Sequence, residues 1–547
     1  MAWGGSGGQV DQIQKTGKST TQRSIEASRA SEPAHIKQVD ITSNKSQEVV
    51  SVTKGVVSLL YYESLLQDHI IADVTFVDNG GAINNKTALS GLPIVGEENV
   101  QLKFADNQGN TLLFNNKKNN AFYVEKVTPI GDSTTKSSVN LKLITREAIK
   151  NNKTGVEIRV DGKISEHVER ILTDQEYLDT EKPLNIEETS NNVNYAGAKD
   201  RPYFLINKMS KDAIPSGQSN PNATNNSAGF IFYETSEGFY FRSIDGLMGN
   251  PYKLKVIYND TPGSTIPEGY DAKALSYSKD NTMDVTKKLR FGAWNTKIQT
   301  FDPYSFDYQV SSLSAADNEK YLELAGKELP VWNQEFDSGE ENKNFSRTTF
   351  IVMDTGTLPT GTGLGVEQQQ LTKSKEVNYN PKVITNQSIM RYNQMFSSKV
   401  TIVIAGDFSL HAGDSVWVDA KELQQTKNKA CDDGVDKFSG GKYIIATLCH
   451  YLTPRETYTK LVLIRDSVGR TGVNNTVSKT DTKTEVRNNA TSRTGSFQDR
   501  RHWRRSSTDA SKANTNKYGQ NIKTSDTART TNWNARRNAR RGTKVGR

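Results

Sequence analysis

Between positions 36 and 160, apolar and polar residues alternate over several short stretches, and a period of two marks half-buried strands. Ile70–Val77 runs into Asp78-Asn79-Gly80-Gly81, a turn signal. Val100, Leu102 and Phe104 alternate with Gln101, Lys103 and Ala105, and Phe122–Val127 and Asn140–Ile144 add two more strands. Short strands punctuated in this way predict a barrel or a sandwich. Ser58–Gln67 is expected as a short amphipathic helix crossing one end.

The period then changes. Ile164, Val168, Ile171 and Leu172 recur at helical spacing, and Asp174–Leu178 closes the segment. Arg201–Met209 begins a second helix with Pro202 in its first turn. Phe230–Glu234 and Phe239–Arg242 read as a hairpin around Ser236-Glu237-Gly238. From Met248 to about Asn386 the pattern weakens: Trp294–Tyr308 is strand-like, Ala315–Leu324 helical, and Asp354–Gln368 has no clear period. Four strands follow at Val400–Ile404, Ser415–Val418, Tyr443–Leu448 and Tyr458–Ile464, with tight turns at Ala405-Gly406-Asp407 and Ala412-Gly413-Asp414. The expected fold is mainly β with an α+β middle region. Residues 36–160 form a first small antiparallel β barrel, 161–285 the middle domain, and 286–470 a second barrel with an inserted segment at about 313–385. Flexible arms, 1–35 and 471–547, flank this body.

Charge separates the last arm from the body. Residues 471–547 hold 18 Lys/Arg against 5 Asp/Glu, net +13, whereas the whole chain holds 70 against 62. Residues 1–470 therefore hold 52 against 57, net −5, and the chain's basic character belongs to the arm. Val473, Val477, Val486, Ile522 and Val545 are too scattered there to offset the entropy of ordering the backbone. Two knots of aromatic and basic residues stand out as partner-binding candidates: Arg500, Arg501, Trp503, Arg504 and Arg505, and Trp533, Arg536, Arg537, Arg540 and Arg541. Three readings stay open for them: a solvated basic tail, an anchor in an acidic protein groove, and a nucleic-acid contact.

No apolar run approaches the ~20 residues of a membrane span, and the N-terminal stretch lacks a signal-peptide core. The two cysteines, Cys431 and Cys449, cannot build a disulfide framework, which fits a reducing cytoplasm, and Cys449 is expected as a small buried hydrophobe. The six histidines have no metal-ligand spacing. Gly361-Thr362-Gly363-Leu364-Gly365 lacks the Lys-Ser/Thr ending of a phosphate loop, and Glu97-Glu98 and Asp432-Asp433 read as solvated pairs. No cofactor, metal or catalytic constellation is expected. A long β-rich chain without such signatures reads as an assembly component rather than an enzyme.

Several motifs carry a resemblance. Tyr61-Tyr62-Glu63-Ser64-Leu65-Leu66, then Asp78-Asn79-Gly80 and Leu92–Glu98, then Ala228–Thr235 with Gly238–Asp245, Met390–Phe396, Gly406–Asp414 and the closing Arg465-Asp466-Ser467 stand in order along the chain. Together they resemble the baseplate central hub protein of contractile-tailed bacteriophages. The match is least in the N-terminal arm, from about Leu313 to Lys382, and in the basic tail. The resemblance implies a homotrimer in which each subunit contributes two similar β-barrel tube domains, so that three subunits make a pseudo-sixfold ring between the hexameric tail tube and a trimeric spike. It also implies tube or tube-initiator, wedge and tape-measure proteins as partners. The protein would sit in the virion tail baseplate after synthesis in the host cytoplasm, without membrane insertion. DNA would pass through the lumen without specific binding, and an acidic body suits that passage. Two alternatives remain: a cell-wall-degrading spike component, and a nucleic-acid-binding protein acting through its basic tail.

Overall fold

The computed structural model describes residues 32–470 except 82–85, 93, 134, 197–198, 218–226, 260–265, 281–284, 304–305, 316–318, 320–321, 331–346, 353–380, 422–434 and 437. Both aromatic-basic knots of the tail, the Gly361–Gly365 run, Cys431, Asp432-Asp433 and half of the expected helix at 315–324 lie outside the described residues.

The N-terminal strands are β1 (His35–Thr42), β2 (Val49–Ser51), β3 (Val56–Ser64), β4 (Ile71–Asp78), β5 (Asn99–Ala105), β6 (Thr111–Phe114), β7 (Phe122–Asp132) and β8 (Ser137–Thr145). Along β4 half-buried and buried residues alternate strictly, as the sequence pattern requires. The segment expected as a helix at 58–67 is instead mostly strand β3. Leu59 and Tyr61 point into the core while Ser58, Leu60 and Tyr62 are half-buried on the opposite face. Outward Leu60 and Tyr62 stand beside inward Leu59 and Tyr61, so the alternation that would mark the strand is lost between 59 and 62. Its Val and Tyr residues favour the pleated form.

These strands pair in the order β1–β5–β7–β8–β4–β3. The chain closes the ring itself: β2 pairs with β1, a 3-10 turn at Thr53–Gly55 follows, and the chain continues into β3. Val52 N–H donates to the Val39 carbonyl at 2.9 Å across this closure.

The C-terminal half repeats the design with β14 (Tyr252–Tyr258), β15 (Ala272–Lys273), β16 (Ser276–Asp280), β20 (Ser398–Ala405), β21 (Ser415–Ala420), β22 (Gly441–Leu452) and β23 (Thr457–Arg465). The order is β14–β21–β22–β23–β20–β16, and the split strand closes it, β15 on β14 and β16 on β20. Tyr252–Asp280, expected in the middle segment, thus contributes strands to the second ring. Their sequence signal is weak because β16 is mostly exposed. The rings are fused where β22 pairs with β3 from Thr447/Ser64 to Leu452/Leu59. One antiparallel sheet of eight strands, β16–β20–β23–β22–β3–β4–β8–β7, therefore runs through both.

A continuous core lies behind this sheet, from Phe76, Phe122 and Leu141 of the first ring to Ile402, Tyr443 and Leu461 of the second. At the seam Phe408 meets Phe104 edge-on with centroids 5.5 Å apart, and His450 stacks on Tyr61 at 5.8 Å.

Between the rings in sequence stand helices α1 (Arg146–Lys153), α2 (Ile164–Thr173), α3 (Pro202–Ser210) and α4 (Ile244–Gly249). With them come the antiparallel pair β9 (Arg159–Lys163) and β11 (Asn192–Ala196), and the sheet β10 (Leu184–Ile186), β13 (Gly238–Ser243), β12 (Phe230–Thr235). Val168, Ile171 and Leu172 of α2 pack on Leu205, Ile206 and the Phe residues of β12 and β13, as the helical spacing predicts. Between β16 and β20 a separate module carries α5 (Val285–Phe291), the sheet β18 (Asp307–Ser314), β17 (Asn295–Asp302), β19 (Arg347–Val352), and α6 (Pro381–Gln394).

Candidate functional site: buried joints between domains

Charged side chains sit inside the apolar junctions at three places. The first is Glu63 on β3. It accepts hydrogen bonds from the Tyr61 hydroxyl (2.6 Å), from Ser236 N–H at the tip of the middle-domain hairpin (2.9 Å) and from Ala412 N–H in the second ring (3.0 Å). His411 Nδ1 lies 3.2 Å from it. One carboxylate thus ties three domains. Burial would raise its pKa, but His411 and the donated hydrogen bonds hold it below the ordinary carboxylate value. Burial pulls His411 down, and Glu63, Glu237 and Asp414 more than reverse this.

The second joint is Lys182, whose Nζ lies 2.7 Å from Glu147 and 2.6 Å from Glu234, with both carboxylates fully buried. The other oxygen of Glu234 accepts from Ile70 N–H and the Thr145 hydroxyl of the first ring. Burial, with Glu147 adding to it, pushes Glu234 up to about 7 against the pull of Lys182. Burial alone would lower Lys182, yet Glu234 and Glu147 hold it above its ordinary value.

The third joint is Arg391 on α6. Its guanidinium reaches Asp245 of α4 at 2.7 Å and Asp466, just past β23, at 2.6 Å, all three essentially without exposure. Arg391 also donates to the Glu323 carbonyl, Asp466 accepts from Ala325 N–H, and Ser227 donates to Asp245. The module, the middle domain and the second ring meet here. Such a site is strongly destabilised when one partner is removed, because the others stay buried and unpaired.

Ser236, His411 and Glu63 are the residue types of a hydrolytic triad. A triad places the hydroxyl on one ring nitrogen and the acid on the other. Here both the Ser236 hydroxyl (3.4 Å) and Glu63 (3.2 Å) face Nδ1, and Nε2 faces Glu237 at 3.6 Å. Glu63 is meanwhile committed to two backbone N–H groups, so the arrangement fastens domains together. Among the described residues no His, Cys, Asp and Glu group together as a metal site would, and no helix is long and apolar enough to cross a membrane.

The sequence placed no weight on these joints, although Glu63, Glu234, Asp245, Arg391, His411 and Asp466 all fall within the motifs that carry the resemblance. An ionisable residue inside an otherwise apolar strand, as in Phe230–Thr235, was the available signal. Two other readings are corrected. Cys449 is half-buried on the outer face of the eight-stranded sheet, with burial pushing its thiol up to about 11, while its neighbour His450 occupies the core. Of the acid pair, only Glu97 is solvated, in an exposed bridge to Lys153. Glu98 is buried and accepts Val95 and Gly96 N–H, so its solvation is replaced by backbone hydrogen bonds.

No protein-family model matches the chain, and no curated protein matches it either. Solved structures similar to it include two tail proteins and a secretion-system component. A tail protein from Neisseria meningitidis MC58 shares 9% identity, covering 78% of this chain and 96% of that one, at a TM-score of 0.42. The 43 kDa tail protein of prophage MuSo2 from Shewanella oneidensis shares 9% identity, covering 79% and 99%, at 0.43. An E. coli component of the type VI secretion system, described as structurally similar to the bacteriophage T4 tail proteins gp27 and gp5, shares 10% identity, covering 80% of each chain, at 0.35.

Proposed function

We propose that this chain is a non-enzymatic central hub of a contractile tail baseplate, a homotrimer that adapts the hexameric tail tube to a trimeric spike. The observation that carries this reading is the pair of rings with one connection order, fused by a single sheet. Three such chains present six similar units around an axis, which is what joining threefold to sixfold symmetry requires.

The outer face of the eight-stranded sheet is the surface we assign to the channel. Its residues are largely hydroxyl and amide bearing, among them Ser58, Thr75, Asn140, Thr401, Thr447 and Tyr451, all half-buried. Its charges include two pairs, Lys142 with Glu125 at 2.7 Å and Lys399 with Asp280 at 3.0 Å, with Asp73, Lys126 and Lys460 spaced between them, so cations and acids nearly balance. Such a wall offers no row of free cations to hold phosphates. This neutral face, rather than the acidity of the body as a whole, supports DNA passage without binding. In this reading the tail knots anchor the hub, with Trp503 and Trp533 seated in acidic grooves of wedge, tube or spike proteins and the Arg pairs beside them.

Mass photometry of the full chain and the copy number in purified tails test the trimer, and a copy number other than three sinks it. Changing Thr401 and Thr447 to Arg should leave tail assembly intact and slow DNA ejection; unchanged ejection removes the channel assignment. Trp503→Ala with Trp533→Ala should weaken incorporation into tails without altering the fold, and normal incorporation leaves the tail solvated.

A further inference from the structure

A cleft of about 540 Å³ opens between the first ring, the middle domain and the second ring. All of Thr111–Phe114, the whole of β6, line it. Side chains of a strand alternate between faces, so four consecutive residues border one cleft only when it runs along the strand's edge. β6 pairs on its other side with β5. Asn120 fixes which backbone groups face outward: its Nδ2 donates to the Leu113 carbonyl at 3.0 Å and its Oδ1 accepts Asn115 N–H at 2.9 Å. Leu113 therefore turns its backbone away from β5, and so, two residues earlier, does Thr111. The result is a strand edge along the cleft on which Asn120 holds the Leu113 carbonyl, while the backbone of Thr111 and the Leu113 N–H face outward. The opposite wall carries Glu234 and Glu237.

The chain enters the described fold beside this edge. Glu32 carbonyl accepts from Asn107 Nδ2 at 2.9 Å. Asn107 lies in the turn that leads through Asn110 into β6, so no more than ~11 Å of backbone separates the entry point from the cleft. The turn is held by Asp106, which accepts Gln108, Asn110 and Phe408 N–H. Residues 1–31 carry Lys15, Lys18, Arg23 and Arg29 against Asp11 and Glu26, net +2. Of the charged residues that line the cleft, Glu234 and Glu237 stand against Lys182 and His411, and Glu237 is the exposed acid among them.

We propose that the chain's own N-terminal arm, residues 1–31, docks an extended stretch in this cleft as an added strand on the outward edge of β6 at Thr111 and the Leu113 N–H, with a basic side chain against Glu237. Strand addition takes its affinity from main-chain hydrogen bonds and its register from side chains, and the arm supplies both by proximity. The proposal does not depend on the trimer.

Amide exchange on full-length chains tests it. In the wild type, Thr111 and Leu113 N–H should exchange at least ~10-fold more slowly than in a full-length Glu237→Arg chain or one with Lys15, Lys18, Arg23 and Arg29 all changed to Glu. Leu112 and Phe114 N–H, bonded to β5, should be alike in all three and report that the ring is folded. Equal rates at Thr111 and Leu113 overturn the proposal. Zero-length coupling of Lys15 or Lys18 to Glu237 within one chain supports it. Coupling found only between isotopically distinct copies, or only at other sites, overturns it.

Discussion

The two rings share an order of connections and differ in how they are tethered. In each, a split strand closes the circle, and an arginine and an acid follow the last apolar run: Leu141-Lys142-Leu143-Ile144 reaches Arg146-Glu147 through Thr145, and Leu461-Val462-Leu463-Ile464 leads directly into Arg465-Asp466. In both cases the terminal acid meets a buried cation. Glu147 meets Lys182, and Asp466 meets Arg391. The first tether can change its charge near neutral pH, because Glu234 titrates at about 7. The second cannot, because a guanidinium does not lose its proton in this range. One architectural position is thus filled once by an adjustable ion cluster and once by a fixed one.

The largest effect should come from removing the fixed cation. Arg391→Met leaves Asp245 and Asp466 buried and unpaired, at a cost of roughly 3–5 kcal/mol. Lys182→Met leaves Glu147 and Glu234, but one of them already holds its proton readily, so the loss at pH 6 should be clearly smaller. Denaturant unfolding of both variants at that pH measures the difference. Equal losses would mean that the two tethers are not distinct.

The next effect is a pH dependence. Glu234 has its pKa raised by burial, so its contribution is fully present below the ordinary carboxylate value and is lost as pH rises through about 7. His411 is also raised and acts in the same direction, its contribution fading as pH rises past its folded value. Glu63 is lowered and acts oppositely, its contribution fading only as pH falls below the carboxylate range. Stability should therefore decline between about pH 5 and pH 8, with the Glu234 share on the order of 1–3 kcal/mol. Glu234→Gln should flatten that decline in thermal melts across the window. A slope identical to the wild type would remove the titratable tether from the account.

The rings were unequally legible in sequence. β4, β5, β8, β20 and β23 each bury one face and leave the other half-exposed, so their period of two survives in the chain. β3 was misread because outward Leu60 and Tyr62 stand beside inward Leu59 and Tyr61, which hides its period of two. β14 to β16 escaped because β14 buries only Val256 and Ile257 and β16 buries nothing. The tethers were hidden for a different reason. Glu147 and Lys182 lie 35 residues apart and Arg391 and Asp245 146, and only the fold brings them together. What the sequence did carry was the oddity of an acid or an arginine inside an apolar motif.

The smallest effect concerns the first strand of each ring, where the rings differ in direction. β1 pairs antiparallel with β5, whereas β14 pairs parallel with both β21 and β15. The chain reaches β14 from α4 and Asn250 of the middle domain, and it therefore enters the second ring from the opposite end. Parallel pairing is slightly weaker per residue, and β14 and β1 bury two side chains each, so burial does not offset that difference. Val39 of β1 and Val256 of β14 are both fully buried in the shared core, so deleting the same two methyl groups from each isolates the backbone's share. Val39→Ala and Val256→Ala should each cost about 1–3 kcal/mol through lost packing. Their amide exchange should differ more than their stability. β14 should open at a lower free energy than β1 in the wild type, and Val256→Ala should widen that gap while Val39→Ala narrows it. If β1 opens first, the reversal of the strand has no energetic consequence, and the second ring's weaker edge lies elsewhere.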